Sequence, residues 1–202
     1  QGDSVIKVIP EEMDDPIDNG ATFQAGSFFS VMGTDMYSVI SLFPKFRDLM
    51  DRVGMIDKSS FKANFVKKGE FYTVFAPVDT AWNNINTDTL SDESLKKILQ
   101  LHIVRGDLIF TDGKKPSGEY YTLRVDEEKS DKFLTRFVKL TIETSADHIH
   151  VKDDQGNTLV QFDEDDTKNQ MSGYDTDTNS PSPYDYVTSG VTHAIDTVFF
   201  ID

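Results

Sequence analysis

The stretch FYTVFAPVDTAWNNI, residues 71–85, decides how the rest of the chain is interpreted. Its first part, FYTVF, consists of aromatic and β-branched residues that favour a buried strand. Pro77 has no backbone N–H, so it ends the hydrogen-bonded ladder. Asp79 is a good N-cap, and Trp82 and Ile85 follow at helical spacing. The stretch therefore predicts a strand that passes through a short, fixed junction into a capped helix.

Two helices are predicted before this junction. Pro44 suits the first turn of a helix, and apolar residues then recur every three or four positions as far as Gly54, a natural C-terminal stop. Ser59 or Ser60 can cap a second, short helix that carries Phe61 on its apolar face.

The clearest helical pattern follows the junction. It begins at Ser91, and we expect the helix to end at Gly106. Acidic residues lie at its positive N-terminal end, where Glu93 can pair with Lys97. Its apolar face is formed by Leu95, Ile98, Leu99 and His102.

The second half of the chain changes to a period of two, which is typical of strands. Residues 138–143 and 148–152 alternate apolar and polar side chains, and DDQGN at 153–157 predicts a hairpin turn. Residues 163–186 predict a long acidic loop, and residues 190–201 a buried closing strand. Helices followed by strands predict an α+β fold rather than a parallel βαβ sheet.

The net charge of −15 is unevenly distributed. Residues 1–35 hold seven acidic residues and one lysine, and residues 153–185 hold nine and one, so the remainder is nearly balanced. We interpret residues 1–35 as an acidic extension or tether and residues 36–202 as the folded domain. Nucleic acids and anionic membranes are disfavoured as partners because their phosphates need a basic face. The acidic segments suit solvation, a cation or a basic partner.

Several classes of chemistry lack their signature in the sequence. The absence of cysteine excludes disulfides and thiol catalysis. No motif of a serine hydrolase, zinc protease, dinucleotide site or phosphate-binding loop occurs, so we expect no enzyme activity. No apolar run reaches the roughly 18 residues of a membrane-spanning helix. The chain begins with Gln1, so we expect a processed form, and a lipid anchor upstream of Gln1 stays open.

Three segments in order, YTVFAPVDTAW (72–82), LKKILQLHIVRG (95–106) and SGVTHAIDTVFF (189–200), resemble the fasciclin domain. The resemblance implies a wedge of two β-sheets flanked by several α-helices, with an acidic loop insertion at about 163–186. It also implies a non-enzymatic adhesion or recognition module, here a bacterial exported member found at the cell surface, in the periplasm or outside the cell. The partner would be an extracellular protein or a polysaccharide.

Two alternatives to an adhesion module stay open. One is a glycan-binding surface protein associated with nutrient uptake. The other, from a different class, is a glycoside hydrolase that uses loop carboxylates, which abound in this chain.

The resemblance also assigns residues. Structural motif positions are Thr73, Phe75, Ala76, Pro77, His102, Gly106, Gly190, His193 and Asp196. Many family members have Tyr-His where this chain has Leu101-His102, and an Asp-Ile pair where it has Asp185-Tyr186. The candidate partner contacts are Leu101, His102, Tyr184, Asp185 and Tyr186.

The acidic loop raises the question of calcium. Asp175, Asp177 and Asn179 fit the first three ligand positions of a calcium loop, but Ser180 replaces the required glycine and Tyr186 the terminal glutamate. The pattern is therefore not an EF-hand. We otherwise expect no cofactor.

An irregular calcium site could still use Asp175, Asp177 and Asp185, or the acids at 163–166, and a solvated loop fits the same residues. His148 and His150 point the same way from one strand, as a metal pair would, and the solvated face of a hairpin explains them too.

The remaining two histidines carry a separate prediction. His102 lies on an apolar helix face, and His193 shares its strand phase with Val191 and Ile195. We therefore expect both imidazoles to be buried, hydrogen-bonded and important for the fold rather than for ligands.

Overall fold

A computed structural model gives the fold and describes residues 8–13, 23–25, 35–67, 69–173 and 188–200. The chain divides into two compact units, Gln1–Val31 and Met32–Asp202. In the first, strands β1 (Val8–Met13) and β2 (Phe23–Ala25) pair antiparallel. Residues 8–13 and 23–25 are thus strands in a region where the sequence predicts an irregular extension. The second unit contains the remaining elements.

The second unit opens with two short helices. Helix α1 (Met36–Ile40) is capped by the Asp35 carboxylate, which accepts from the Ser38 N–H. Helix α2 (Pro44–Arg52) has Pro44 in its first turn and is followed by Gly54 at a φ of +71°. Both ends of α2 confirm the prediction.

The second predicted helix, at Ser59 and Ser60, is wrong. Strands β3 (Ile56–Asp57) and β4 (Lys62–Ala63) pair instead, and the chain turns between them. Both serine hydroxyls donate to the Asp57 carboxylate at 2.6 Å, which stabilises the turn in place of a helix cap. Phe61 has a φ of +56° and is exposed, and its ring meets Tyr37 of α1 edge-on instead of forming the apolar face of a second helix.

In the stretch 71–85, the predicted strand is confirmed and the predicted helix is wrong. Strand β5 (Tyr72–Pro77) is buried along its whole length and ends at Pro77. A single 3-10 turn, Asp79–Trp82, follows, and Val78 rather than Asp79 lies at its N-cap. The Asp79 carboxylate instead accepts from the backbone N–H of Lys45 at 2.9 Å, in the first turn of α2. The predicted cap therefore serves a helix that lies 34 residues earlier.

Helix α3 (Asp92–Leu101) begins as predicted, with Ser91 as the N-cap, and the Glu93–Lys97 ion pair forms at 3.3 Å. Its end is earlier than Gly106. Residues after the C-cap His102 form strand β6 (Ile103–Arg105), which pairs with β5. The β-branched pair Ile103-Val104 favours a strand, and Gly106 turns the chain only afterwards, at a φ of +88°.

The remaining strands are β7 (Gly118–Val125), β8 (Phe137–Ser145), β9 (His148–Lys152), β10 (Thr158–Asp163), β11 (Gln170–Gly173) and β12 (Thr188–Ile195). The β9–β10 hairpin confirms the prediction at DDQGN. Strand β11 lies in the predicted loop 163–186, and the predicted closing strand ends at Ile195.

Strands β5 to β12 form one curled eight-stranded sheet in the order β10-β9-β8-β7-β6-β5-β12-β11. Neighbours are antiparallel except β5 and β12, which are parallel. The fold is β-rich, with three α-helices among the described residues. The expected wedge of two sheets with several helices is therefore matched only in part, because backbone pairing is continuous through all eight strands.

Two apolar cores meet at β5. Tyr72, Val74 and Ala76 pack with the helices, whereas Phe75 packs with the strands from β7 to β10. Successive side chains of a strand point to opposite faces, so β5 joins the two cores. No helix in the described part of the chain is long and apolar enough to cross a bilayer.

Candidate recognition surface and the junction beneath it

His102 lies at the C-cap of α3 and connects that helix by hydrogen bonds to Phe199, in the C-terminal segment after β12. Its Nδ1–H donates to the carbonyl of Ile98, and its Nε2 accepts from the backbone N–H of Phe199, each at 2.9 Å. The tautomer follows from these partners, since a carbonyl only accepts and an N–H only donates. Burial lowers the pKa of His102 to about 4, so the imidazole is neutral.

His193 on β12 has the opposite tautomer. Its Nε2–H donates to the carbonyl of Ile109 at 2.8 Å, and its Nδ1 accepts from the N–H of Asn169 at 3.3 Å. The ring stacks on Phe75, with centroids 5.8 Å apart. Burial lowers its pKa to about 4 as well, and Lys168 adds to the effect. Both histidines are buried and hydrogen-bonded, as the sequence predicts.

The candidate contacts Leu101 and His102 have no exposed surface. A partner would reach neither side chain in this conformation. Any part they play in recognition would therefore be indirect, through the exposed residues that they support. That part stays a prediction. The other candidate contacts, Tyr184, Asp185 and Tyr186, lie outside the described residues, as do the calcium candidates Asp175 and Asp177.

Most of the motif positions are buried on the two adjacent strands β5 and β12. Thr73, Phe75, Ala76 and Pro77 are buried on β5, and Gly190 and His193 are buried on β12. The Thr73 hydroxyl donates to the carbonyl of Asp107 at 2.8 Å and accepts from the N–H of Ile109 at 2.9 Å. Gly106 donates to the carbonyl of Phe71, whereas Asp196 is exposed.

The acids at 163–166 do not converge on a shared point. Hydrogen bonds from the Thr167 hydroxyl and then from Lys168 lower the pKa of Asp165 to about 2. A carboxyl with that pKa is ionised and cannot act as the general acid of a glycosidase. Within the described ranges, no group of three His, Asp or Glu side chains is placed to hold a metal ion.

The two partly exposed histidines on β9 each contact a carboxylate on a neighbouring strand. His148 Nδ1 lies 2.8 Å from Asp163, and His150 Nδ1 lies 3.1 Å from Glu143. His150 Nε2 also contacts the hydroxyl of Thr158 at 2.8 Å. The ring nitrogens of His150 are therefore both engaged within the hairpins, which fits the solvated-face interpretation.

A cleft of about 880 Å³, which we call the hairpin cleft, lies on the described part of the second unit. It lies between α3 and the hairpin formed by β7, residues 126–136 and β8. Six cationic side chains line it: Lys97, Arg105, Arg124, Lys129, Arg136 and Lys139. Five carboxylates line it too: Glu119, Asp126, Glu127, Glu128 and Asp154.

Three ion pairs connect these opposite charges within the hairpin cleft. They join Lys139 to Glu119 at 2.6 Å, Lys97 to Glu127 at 2.9 Å and Lys129 to Asp126 at 3.0 Å. The hydrogen bonds that Lys97 donates to Glu127 and then to Glu93 raise the pKa of Lys97, and the bond that Lys139 donates to Glu119 raises the pKa of Lys139. Exposed pairs add little stability, but they hold donors and acceptors side by side.

Aromatic rings form the apolar part of the hairpin cleft. Tyr121 is 50% exposed, with the Lys139 Nζ 5.1 Å from its ring centroid. Phe137 is partly buried beneath the Arg105 guanidinium, 4.6 Å from the ring centroid. Leu134 is 50% exposed at the rim. The sequence interpretation missed this site, although basic and aromatic residues are interleaved in KFLTRFVK (132–139).

Comparison with known proteins gives one family. The sequence model of one protein family, the Fasciclin domain, matches residues 43–201, which include β5, α3 and the hairpin cleft. No curated protein matches the chain.

Proposed function

The chain belongs to the fasciclin domain family, and on that premise we propose that it is a non-enzymatic adhesion or recognition module that works at the cell surface, in the periplasm or outside the cell. Domains of this family serve generally in adhesion and recognition rather than in catalysis. The observation that carries the proposal is the length of the match, which spans residues 43–201 of a 202-residue chain.

The arrangement of the second unit suits a module that presents a fixed surface. The buried β5 strand, with β6 and β12 on either side, joins both apolar cores. The hairpin cleft lies on elements that pack directly on this centre, since β7 pairs with β6 and contacts α3. A partner would therefore meet a surface whose backbone is already ordered, which lowers the entropic cost of binding.

The partner we propose is an extracellular protein or a polysaccharide. Nucleic acid is a poor partner because the chain carries a net charge of −15 and its cationic cleft residues are balanced by carboxylates. The acidic loop at 163–186 is a second proposed contact region, through Tyr184, Asp185 and Tyr186.

Two measurements test this function. Antibody labelling and protease treatment of source cells, both intact and with a permeabilised outer membrane, should find the chain outside the cytoplasmic membrane. Beads coated with the chain should bind some members of a panel of immobilised matrix proteins and polysaccharides more strongly than beads coated with an unrelated protein of equal net charge. A chain confined to the cytosol, or bead binding equal to that control, would contradict the proposal.

The contribution of the acidic loop can be measured in the same bead assay. Deletion of residues 167–183 would remove β11, which pairs with β12, so it would confuse loss of contact with loss of structure. Conversion of Asp175, Asp177 and Asp185 to asparagine removes the charges instead. Weaker binding by this variant, at an unchanged melting temperature, would support contact through the loop.

A further inference from the structure

The hairpin cleft is nearly neutral in a strongly acidic chain. Its six cations exceed its five carboxylates by one, whereas the whole chain has a net charge of −15. Three of the cations already pair with carboxylates of the same cleft, at 2.6–3.0 Å. A polyanion or a polycation would have to separate these pairs to bind there. The charge balance therefore favours a neutral ligand.

The paired groups suit a ligand rich in hydroxyls. The Lys139 ammonium next to the Glu119 carboxylate places a donor beside an acceptor, and the Lys97–Glu127 pair repeats this arrangement. A hydroxyl both donates and accepts, so two adjacent sugar hydroxyls can bind such a pair without disturbing its charge. The Tyr121 ring is half exposed and has the Lys139 ammonium of the first pair over it, so its exposed part can cover the apolar C–H face of a sugar next to that pair.

An extended peptide suits the cleft less well. Peptides that bind to sheets do so by adding a strand to a free edge. Strands β7 and β8, which line the cleft, are interior strands with a partner on each side. Neither of them is therefore an edge strand of the eight-stranded sheet.

We propose that the hairpin cleft binds a neutral oligosaccharide, with the Tyr121 ring against a sugar face and the ion pairs Lys139–Glu119 and Lys97–Glu127 bound to its hydroxyls. This inference rests on the recognition function proposed above and names the ligand class and the place. The cleft volume of about 880 Å³ lies within the range of small-molecule sites.

Titration calorimetry with the whole chain tests the proposal. The probes are neutral hexasaccharides (maltohexaose, cellohexaose, xylohexaose and mannohexaose), with hexagalacturonate and hexalysine as charged comparisons. At least one neutral sugar should bind, and its affinity should be almost independent of salt, because no counterions are released. Tyr121→Ala should weaken that binding roughly tenfold through loss of the ring contact.

One variant serves as a control and a second tests the charge balance. Phe61→Ala removes another exposed aromatic ring outside the cleft and should leave sugar binding unchanged. Glu119→Gln removes the ion pair with Lys139 that binds the sugar hydroxyls, so it should weaken neutral-sugar binding, and it makes the cleft more positive by one charge. A large gain in hexagalacturonate binding by Glu119→Gln, with no neutral sugar bound, would identify a polyanion site and overturn the proposal.

The inference is also wrong if no neutral sugar binds at millimolar concentration, or if Tyr121→Ala binds it as well as the unaltered chain does. The bead assay separates that failure from failure of the recognition function. If Tyr121→Ala beads still bind their target surface fully, the module recognises its partner through another surface and only the cleft assignment is lost.

Discussion

The backbone N–H of Phe199 donates to Nε2 of His102 over 2.9 Å, and the two rings stack with centroids 4.6 Å apart. Residues separated by 97 positions are thereby joined by a hydrogen bond and a ring contact in the interior. The imidazole also terminates α3 through Ile98, so one side chain fixes the helix end against the C-terminal segment. The histidine is thus a structural link between sequentially distant elements.

Replacement of His102 by alanine should lower the free energy of unfolding by roughly 3 kcal/mol or more. The change opens a cavity and leaves the buried N–H of Phe199 without its acceptor. Urea unfolding followed by circular dichroism measures the loss. His148→Ala is the control, because that side chain is partly exposed on β9, and it should cost less than about 1 kcal/mol.

A different result for His102→Ala would change the assignment of this residue. If the variant kept its full thermal stability but lost binding to a partner, His102 would be a recognition residue and not a structural one.

Stability should fall on mild acidification. His102 and His193 have pKa values of about 4 in the folded chain and about 6.5 when unfolded, because burial penalises the imidazolium. The unfolded chain therefore binds these protons first. Their stabilisation is complete above pH 6.5 and decreases as the pH falls towards 4, by an amount on the order of 3 kcal/mol per histidine.

Urea midpoints measured between pH 7.5 and 4 check this pH dependence. Hydrogen bonds from Ser59 and Thr167 lower the pKa values of Asp57 and Asp165 to about 2, so these carboxylates lose their stabilising effect only below their usual pKa of 3.8. The histidine effect is thus separated from theirs on the pH scale. Equal free energies of unfolding at neutral pH and at pH 5 would contradict the neutral, buried state of both imidazoles.

Asp79→Ala should destabilise the second unit by about 1 kcal/mol, the usual cost of losing a helix cap. The lost contact is the 2.9 Å bond to the N–H of Lys45, so the effect should lie at the start of α2. Hydrogen exchange at Lys45 and Phe46 should accelerate. Asp88→Ala removes an exposed acid of a neighbouring 3-10 turn and controls for charge. Unchanged exchange at α2 would show that the cap contributes nothing.

Gly190→Ala should cost roughly 1–3 kcal/mol through overpacking. A Cβ at this position would lie 2.1 Å from Met36 Cε and 2.6 Å from Ser172 Oγ, both buried neighbours. Gly118→Ala is a matched control on β7, because a Cβ there meets no atom within 4 Å. Thermal unfolding of the two variants should differ clearly. Equal melting temperatures would mean that Met36 and Ser172 move aside at little cost.

Several elements could be read from local sequence because their signals are local. The alternation in β8 and β9, the Ser91 cap of α3 and the Pro44 and Gly54 limits of α2 all depend on residues within a turn or a strand of each other. The two buried histidines were also predictable, because each lies on an apolar face.

Other predictions failed where a distant partner competed with a local one. The Asp79 carboxylate is a suitable cap for the turn that follows it, yet it binds the N–H of Lys45. Ser59 and Ser60 could start a helix, yet their hydroxyls bind Asp57 and a hairpin forms. The helical face of α3 continues to His102, yet Ile103 and Val104 leave it to pair with β5.

The hairpin cleft was not predicted, because its lining comes from α3, β6, β7, β8 and the β9–β10 turn. Its neutrality depends on ion pairs such as Lys97 with Glu127, which lie 30 residues apart and meet only after the helix packs on β7. No local spacing encodes such a pair.

The sequence by itself determined the family, through three ordered motifs, and the local elements that hydrophobic period and capping specify. Only the tertiary structure decided the continuous eight-stranded sheet, the C-terminal end of α3, the tautomers of His102 and His193 and the position of the cleft. The physical reason is that each of these depends on hydrogen bonds or ion pairs between segments far apart in the chain. Their formation is governed by the packing of the whole domain rather than by the preferences of neighbouring residues.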